Sequence, residues 1–177
     1  PRLRFPEFEE APEWSEEAFE VLYGFKPTNT YSRNQLNYDA GTFKNIHYGD
    51  IHTRFATHFR INAEAVPYVN VDVSPEDSNP EAFCRPGDII FADASEDLAD
   101  VGKCIEIIEV DDELVMSGSH TILARPRSQA IAVGFAGYLF KSRHSRDRIE
   151  KEAQGTKVMQ ISSKRLAKID VLFPQDE

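Results

Sequence analysis

The sequence predicts a single compact α+β domain in which strands dominate and a few helices occur, two of them near the C-terminal end. Three observations predict this class. The chain has 177 residues, which fit one domain with a sizeable hydrophobic core. Its apolar runs are short, as in residues 89–92 and 130–133, whereas helical periodicity begins only at Ala132. No internal repeat, low-complexity tract or linker divides the chain, so one domain is expected over residues 1–177.

The first part of the chain predicts little regular structure. Three prolines make residues 1–13 extended and irregular. Ser15, followed by two glutamates, is typical of a helix N-cap, and Gly24 and Pro27 restrict that helix to a short one. Residues 26–45 form a long polar stretch without a usable period, and a loop of that length in a compact domain is usually functional or disordered.

The middle of the chain, from Ile46 onward, predicts mostly strands. Turns are expected at Gly49-Asp50 and at Gly87-Asp88. Residues 104–110 carry apolar side chains on both faces, which predicts either a bulge or a strand buried on both sides. Residues 121–124 predict a further strand.

The helical signal comes late in the chain. Five apolar residues recur at the spacing of a core-facing helix, namely Ala132, Phe135, Ala136, Leu139 and Phe140. A second helix is expected to begin near Ser142 or Ser145 and to end at Gly155. Residues 158–161 and 169–173 predict closing strands.

Composition excludes several classes of protein. A spanning helix needs about 20 apolar residues, and the sequence has no such run, so no membrane association is expected. The two cysteines, Cys84 and Cys104, argue against a disulfide scaffold. A cytoplasmic location is therefore expected.

Charge is distributed unevenly along the chain. The formal net charge of −10 argues against non-specific nucleic-acid binding by the whole molecule. Residues 1–116 hold 9 basic and 24 acidic side chains, whereas residues 117–177 hold 11 basic and 6 acidic ones. One end of the protein could therefore approach an anion, although a solvated helix surface would have the same composition.

The sequence lacks the motifs of the obvious enzymes. Asn79-Pro80-Glu81-Ala82 is missing the second proline and the aromatic residue of a methyltransferase site, and Pro75-Glu76-Asp77 is followed by no Glu-x-Lys nuclease element. Walker-type phosphate loops are absent. The spacing of His47, His52 and His58 matches no zinc site. No catalytic activity, cofactor or metal is expected for this chain.

An ordered set of short motifs runs along the chain. The last third contains Ser119-His120-Thr121-Ile122-Leu123-Ala124-Arg125-Pro126, then Gly137-Tyr138-Leu139-Phe140-Lys141-Ser142, Gln154-Gly155-Thr156-Lys157, Gln160-Ile161-Ser162 and Leu166-Ala167-Lys168-Ile169. Gly87-Asp88-Ile89-Ile90-Phe91-Ala92-Asp93 and the opening Leu3-Arg4-Phe5-Pro6 precede them. In these motifs the chain resembles the target recognition domains of type I restriction–modification specificity subunits.

That resemblance implies a function and partners. A specificity subunit carries two such domains, separated by long helices that hold methyltransferase subunits, and each domain reads one half of a split DNA target. The chain is expected to be the first half of a longer subunit, without its long spacer helix. Its implied partners are double-stranded DNA and the modification (methyltransferase) and restriction (translocase/nuclease) subunits.

Candidate DNA contacts fall into two groups. Polar side chains on irregular segments are suited to base edges, because amides pair with adenine and arginine pairs with guanine. The base-reading candidates are Thr28, Asn29, Thr30, Tyr31, Ser32, Arg33, Asn34, Gln35, Ser119 and His120. The phosphate-binding candidates are Lys26, Lys44, Lys141, Arg143, His144, Arg146 and Arg148.

Each group has a structural alternative. The polar stretch could be an ordinary surface loop, the cations could be a solvated helix face, and His120 could hold a turn. The acidic residues around Asp93 suit solvated surface better than a cytosine contact. An alternative function is a protein–protein interaction module that uses the acidic half of the chain.

Overall fold

The structure is a computed structural model that describes residue 10, residues 12–70 and residues 74–174. The described strands are β1 (Ser15–Ala18), β2 (Tyr23–Lys26), β3 (Leu36–Asn37), β4 (Lys44–Ile46), β5 (His58–Arg60), β6 (Tyr68–Val69), β7 (Ile89–Ala92), β8 (Ala94–Ser95), β9 (Cys104–Glu109), β10 (Val115–Ser117), β11 (Thr121–Pro126), β12 (Met159–Gln160) and β13 (Asp170–Phe173). The described α-helices are α1 (Phe19–Leu22), α2 (Tyr48–Thr53), α3 (Ala136–Leu139), α4 (Arg143–Glu152) and α5 (Ser163–Leu166). The α+β fold class predicted from the sequence is confirmed.

A five-stranded sheet in the order β2-β11-β7-β9-β5 forms the centre of the fold. Its strands pair antiparallel except β9 and β5, which are parallel. A second sheet of four strands, in the order β10-β4-β6-β3, lies beside the polar stretch. Two short pairs, β1 with β13 and β8 with β12, complete the described sheets.

Both faces of the central sheet are covered, because its middle strands alternate between two apolar cores. Ile89 and Phe91 point into a core shared with α1, α3, α4 and α5, in which Phe19 and Phe140 pack against them. Ile90 points into the opposite core, which α2 covers. A strand buried on both faces reads as a continuous apolar run, as these residues do.

The two expectations for residues 104–110 both hold. β9 is buried on both faces from Cys104 to Ile107. Its register against β5 also shifts between Phe59 and Arg60, which is the irregularity of a bulge. Other local predictions are confirmed as well, including the turn at Gly87-Asp88 and the strand from Thr121.

The prediction that Ser15 caps a helix is wrong. Ser15 begins β1, which pairs with β13 along its full length from Ser15 opposite Phe173 to Ala18 opposite Asp170. The helix that follows is the single turn α1, which buries Phe19. Pairing with a strand more than 150 residues away overrides the local helix-start signal.

Two further predictions need correction. Gly49-Asp50 lies inside α2 and not in a turn. The helix begins here because His47 is its N-cap and accepts the Gly49 N–H at Nδ1 over 3.1 Å. The helix expected from Ala132 is confined to α3, because Gly134 has a φ of +95°, which a right-handed helix does not allow.

The predictions for the C-terminal part are confirmed. Ser142 is the N-cap of α4, and its hydroxyl accepts the Ser145 N–H at 3.4 Å. The helix ends at Glu152, three residues before the predicted Gly155, and β12 and β13 lie within the expected closing strands. Most of residues 1–13, including the Leu3-Arg4-Phe5-Pro6 motif, lies outside the described residues. In the described ranges, no helix has the length and apolarity needed to cross a bilayer.

Candidate nucleic-acid interface

The polar stretch and the turn before β11 lie against each other, although about 90 residues separate them in sequence. The backbone N–H of Asn29 donates to the carbonyl of Ser117 at 3.0 Å, and the N–H of Gly118 donates to the carbonyl of Ile46 at 3.0 Å. We call residues 28–35 the polar loop and residues 118–120 the histidine turn. Two groups of base-reading candidates are thereby brought to one surface.

Asn29 and Tyr31 shape the polar loop from within. The side-chain oxygen of Asn29 accepts the N–H of Tyr31 at 3.1 Å, and its amide donates to the buried Asn45 at 2.5 Å. The ring of Tyr31 packs against Phe43 with a centroid distance of 6.1 Å. Both side chains are therefore engaged in holding the loop.

The end of the polar loop is a single 3-10 turn over Arg33–Gln35. The side-chain oxygen of Gln35 accepts from the backbone N–H of Ser32 at 3.0 Å and from its hydroxyl at 2.9 Å. The Ser32 hydroxyl also contacts the side-chain oxygen of Asn34, whose amide NH₂ forms no hydrogen bond with the described residues. Ser32 and Gln35 thus form the turn, and Asn34 keeps two donors available.

Arg33 ties the polar loop to α2. Its guanidinium donates to both carboxylate oxygens of Asp50, over 3.2 and 3.3 Å, and also lies 3.3 Å from Nδ1 of His47. The Asp50 side chain is only 4% exposed, whereas that of Arg33 is 49% exposed. Burial lowers the pKa of His47, and the Arg33 guanidinium lowers it further, which favours the neutral ring that caps α2.

The histidine turn also contacts the start of α2. His120 has a left-handed backbone, with φ of 56°, and its ring meets Tyr48 edge-on at 5.4 Å. Its Nδ1 lies 3.4 Å from Oδ1 of Asp93. Burial raises the pKa of the Asp93 carboxyl, and the neighbouring His120 lowers it in part.

Several candidates on this surface remain available to a ligand. Thr28, Thr30 and Ser119 form no side-chain hydrogen bond with the described residues. The His120 side chain is 53% exposed. Together with Asn34, these residues present hydroxyl, amide and imidazole groups, which are the groups that hydrogen-bond to base edges.

Most of the phosphate-binding candidates are engaged in contacts within the protein. Lys26 pairs with Glu81, Lys44 pairs with Glu113 at 3.0 Å, and Arg148 pairs with Glu16. Lys141 donates to the Thr57 hydroxyl at 2.6 Å, and burial lowers the pKa of this lysine.

The cations of α4 differ in exposure. The guanidinium of Arg146 donates to the carbonyls of Ala99 and Val101 at 3.0 and 2.6 Å. Arg143 is 94% exposed and lies 3.9 Å from Asp147. His144 is also exposed, and it contacts Arg148.

Helix α4, which carries Arg143, Arg146 and Arg148, does not share one surface with the polar loop. Ile149 packs α4 onto one face of the central sheet, whereas Ile51 packs α2 onto the other. Residues 93–103 connect the two sides, because Arg146 binds this segment and His52 contacts the carbonyl of Ala94 at 3.0 Å. The structure therefore separates the α4 cations from the polar loop, whereas Lys26 and Lys44 lie on strands that flank the loop in sequence.

Sequence reasoning missed part of this surface. The sequence predicts a turn at Gly49-Asp50 and mostly strands from Ile46 onward, whereas the structure has the start of α2 there, beside the polar loop. Asp93 was assigned to solvated surface, yet it contacts His120. The available signal was Asp50, an acidic residue that suits the first turn of a helix.

Comparison with known proteins identifies the fold. No protein-family model matches the chain, and no curated protein matches it in sequence. Solved structures do match. The type I restriction–modification S subunit from M. genitalium aligns with a TM-score of 0.59 and 14% identity, covering 98% of this chain and 37% of that one.

Two further solved structures align with the chain over nearly its whole length. The HsdS subunit from Thermoanaerobacter tengcongensis aligns with a TM-score of 0.57 and 13% identity, covering 99% of this chain and 35% of that one. A structure concerning complex assembly and conformational transition of the type I R-M system aligns with a TM-score of 0.56 and 13% identity, over 99% of this chain and 36% of that one. The chain thus spans just over a third of each. It has the fold of a segment of type I restriction–modification S subunits, as its ordered motifs predicted.

Proposed function

We propose that this chain binds DNA in a sequence-specific manner and reads one half of a bipartite target for a type I restriction–modification complex, without catalysing a reaction itself. The observation that carries the proposal is the meeting of the polar loop and the histidine turn on one surface. Hydrogen bonds from Asn29 to Ser117 and from Arg33 to Asp50 hold that surface in place. Base reading requires polar side chains on rigidly held segments.

The side chains of this surface divide into readers and supports. The readers are the groups that remain available, namely Thr28, Thr30, Asn34, Ser119 and His120. Asn29, Tyr31, Ser32 and Gln35 give the loop its shape, because their polar groups or rings are engaged within it. Arg33 anchors the loop to α2.

Phosphate binding is assigned mainly to the exposed end of α4. Arg143 and His144 are exposed enough to approach an anion, since Arg143 makes only a long contact of 3.9 Å with Asp147, whereas Lys26, Lys44 and Arg148 each have a closer acidic partner. With few unpaired cations and a net charge of −10, the isolated chain is expected to bind DNA weakly, with a dissociation constant on the order of micromolar or poorer at physiological salt.

The wider assembly follows from the same proposal. Residues 1–177 would form the first of two recognition domains in a longer subunit. That subunit would join modification and restriction subunits and would work in the cytoplasm. A second half-site contact would then supply the affinity that one domain lacks, by a factor of about 10² to 10⁴.

Selection from a pool of randomised double-stranded DNA tests the proposal. The wild-type chain is expected to enrich one short motif. Asn34→Ala is expected to relax it at one position by about 1–3 kcal/mol, as for a two-pronged amide contact. Thr30→Ala is expected to relax it by about 0.5–1.5 kcal/mol, as for one hydrogen bond. Thr156→Ala and Gln129→Ala are matched controls, because both residues are exposed and lie outside the polar loop and histidine turn. Absence of any enriched motif would refute the proposal. Failure to bind any duplex even at low salt would instead favour a protein-binding module that uses the acidic half of the chain.

A further inference from the structure

His120 lies in a backbone conformation that its surroundings must enforce. A φ of 56° is uncommon for a residue with a side chain, and such conformations concentrate where a side chain must be aimed. The carbonyl of His120 accepts the N–H of Asp93 at 3.0 Å. Below it, the buried hydroxyls of Ser117 and Thr121 lie 2.7 Å apart and close the turn. The position of His120 is therefore fixed from both ends.

The imidazole ring has one side facing the protein and one facing solvent. Its Nδ1 lies 3.4 Å from the carboxylate oxygen of Asp93, and Tyr48 supports the ring edge-on. Just over half of the side chain is exposed. Asp93 thus contacts His120 twice, once through its backbone N–H and once through its carboxylate.

The carboxylate of Asp93 decides which nitrogen carries the proton. Its Oδ1 is buried and forms no hydrogen bond with another described residue, so a donor at His120 Nδ1 is the group available to it. A neutral imidazole has one donor and one acceptor. A proton on Nδ1 therefore leaves Nε2 as an acceptor on the exposed side of the ring.

Resting on the function proposed above, we propose that Asp93 is a positioning residue and that His120 reads an exocyclic amino group of the DNA. In the major groove, adenine presents N6–H₂ and cytosine presents N4–H₂, whereas guanine O6 and thymine O4 are acceptors. The outward Nε2 accepts from the amines and cannot donate to the carbonyls. His120 therefore selects adenine or cytosine at one position of the half-site.

The tautomer can be measured without DNA. At about pH 8, where histidine side chains are generally neutral, nitrogen-15 spectra of the histidine-labelled chain are expected to show His120 protonated at Nδ1. Asp93→Ala removes the acceptor but keeps the backbone N–H, so the ring is expected to shift toward the Nε2-protonated form. Glu96→Ala is the matched control, because Glu96 is an exposed acid in the same segment. An Nε2-protonated ring in the wild-type chain would overturn the proposal.

Selection from randomised double-stranded DNA tests the base preference. The wild-type chain is expected to enrich adenine or cytosine at one position, and both His120→Ala and Asp93→Ala are expected to lose about tenfold of that preference, as for one lost hydrogen bond. Gln129→Ala, which alters an exposed residue outside the polar loop, the histidine turn and α4, is expected to leave it unchanged. If the wild type enriches no motif, the proposed function fails and this inference fails with it. If a motif is enriched and survives His120→Ala intact, or if Asp93→Ala leaves the preference unchanged, the inference alone is overturned.

Discussion

The ion pair between Arg33 and Asp50 gives the sharpest test of the division between readers and supports. Two N–H groups of Arg33 donate to the nearly buried Asp50, and Arg54 lies 3.6 Å from the same carboxylate. A hydrogen bond to a charged group contributes about 1.5–3 kcal/mol, whereas an exposed ion pair contributes about 0.2–1 kcal/mol. Because Arg33 is half exposed and Asp50 is buried, we expect a coupling free energy of about 1–2 kcal/mol.

A double-mutant cycle measures this coupling. Urea unfolding of Arg33→Ala, Asp50→Ala and the double variant gives the interaction free energy, and Arg54→Ala is the matched control because it removes the other arginine from Asp50 and leaves the polar loop tied. A coupling below about 0.3 kcal/mol would show that the pair does not hold the loop.

DNA selection with the same variants separates two roles for Arg33. If Arg33 only anchors the polar loop to α2, Arg33→Ala and Asp50→Ala both make the loop less ordered and weaken the base preference at every position that the loop reads. If Arg33 instead reads guanine, as its residue type first suggested, Arg33→Ala relaxes one guanine position and Asp50→Ala spares the motif. The second outcome would refute the assignment of Arg33 as a support.

Three further predictions concern the whole chain, α4 and Asp93. Incubated with a labelled methyl donor and unmethylated DNA, the purified chain is expected neither to methylate nor to cleave it, and stoichiometric methylation without added subunits would contradict this. Arg143→Ala is expected to weaken binding to all duplexes alike and to reduce the slope of log K against log salt by about one, and an altered motif would show that α4 enters the groove. Burial raises the pKa of Asp93, so the folded chain holds this proton more tightly than the unfolded chain, and stability falls as the pH rises through that window and stays reduced above it. Urea unfolding at neutral pH is therefore expected to find Asp93→Asn more stable than the wild type, with the difference vanishing below about pH 4; Glu96→Gln is the exposed control, and an equal gain there would contradict the assignment.

Short sequence patterns predicted two kinds of element: helices capped by a neighbouring residue, and strands that are fully buried. The buried run of β7 and the serine cap of α4 could both be found from neighbouring residues alone. Ser15 could not, because its strand is specified by pairing with β13 at the other end of the chain. The helix at Tyr48 was missed because its cap is a histidine, which is not among the usual capping residues.

The candidate site was predictable in residue type and not in role. Hydroxyl and amide groups in an irregular stretch pointed to the polar loop, and the structure does place it beside His120. Whether a given side chain is available depends on partners that sequence does not reveal. Arg33 is bound to Asp50 and Asn29 to Asn45, so two of the chemically most capable readers are occupied within the protein.

Buried core residues and the two acidic residues Asp50 and Asp93 are expected to affect stability and base preference differently. Ile89, Ile90 and Phe91 of the central sheet pack into the two cores, so their substitution should lower stability without changing which base is preferred. Asp50 and Asp93 lie between core and surface, where Asp50 contacts Arg33 and Asp93 contacts His120 on the proposed DNA-binding surface. Substituting either side chain should alter recognition while the fold persists, because Asp50 acts on the surface through Arg33 and Asp93 acts on it through His120. Under the proposed function, specificity is therefore expected to depend on the acidic residues beneath the polar loop and the histidine turn as much as on the groups proposed to meet the DNA.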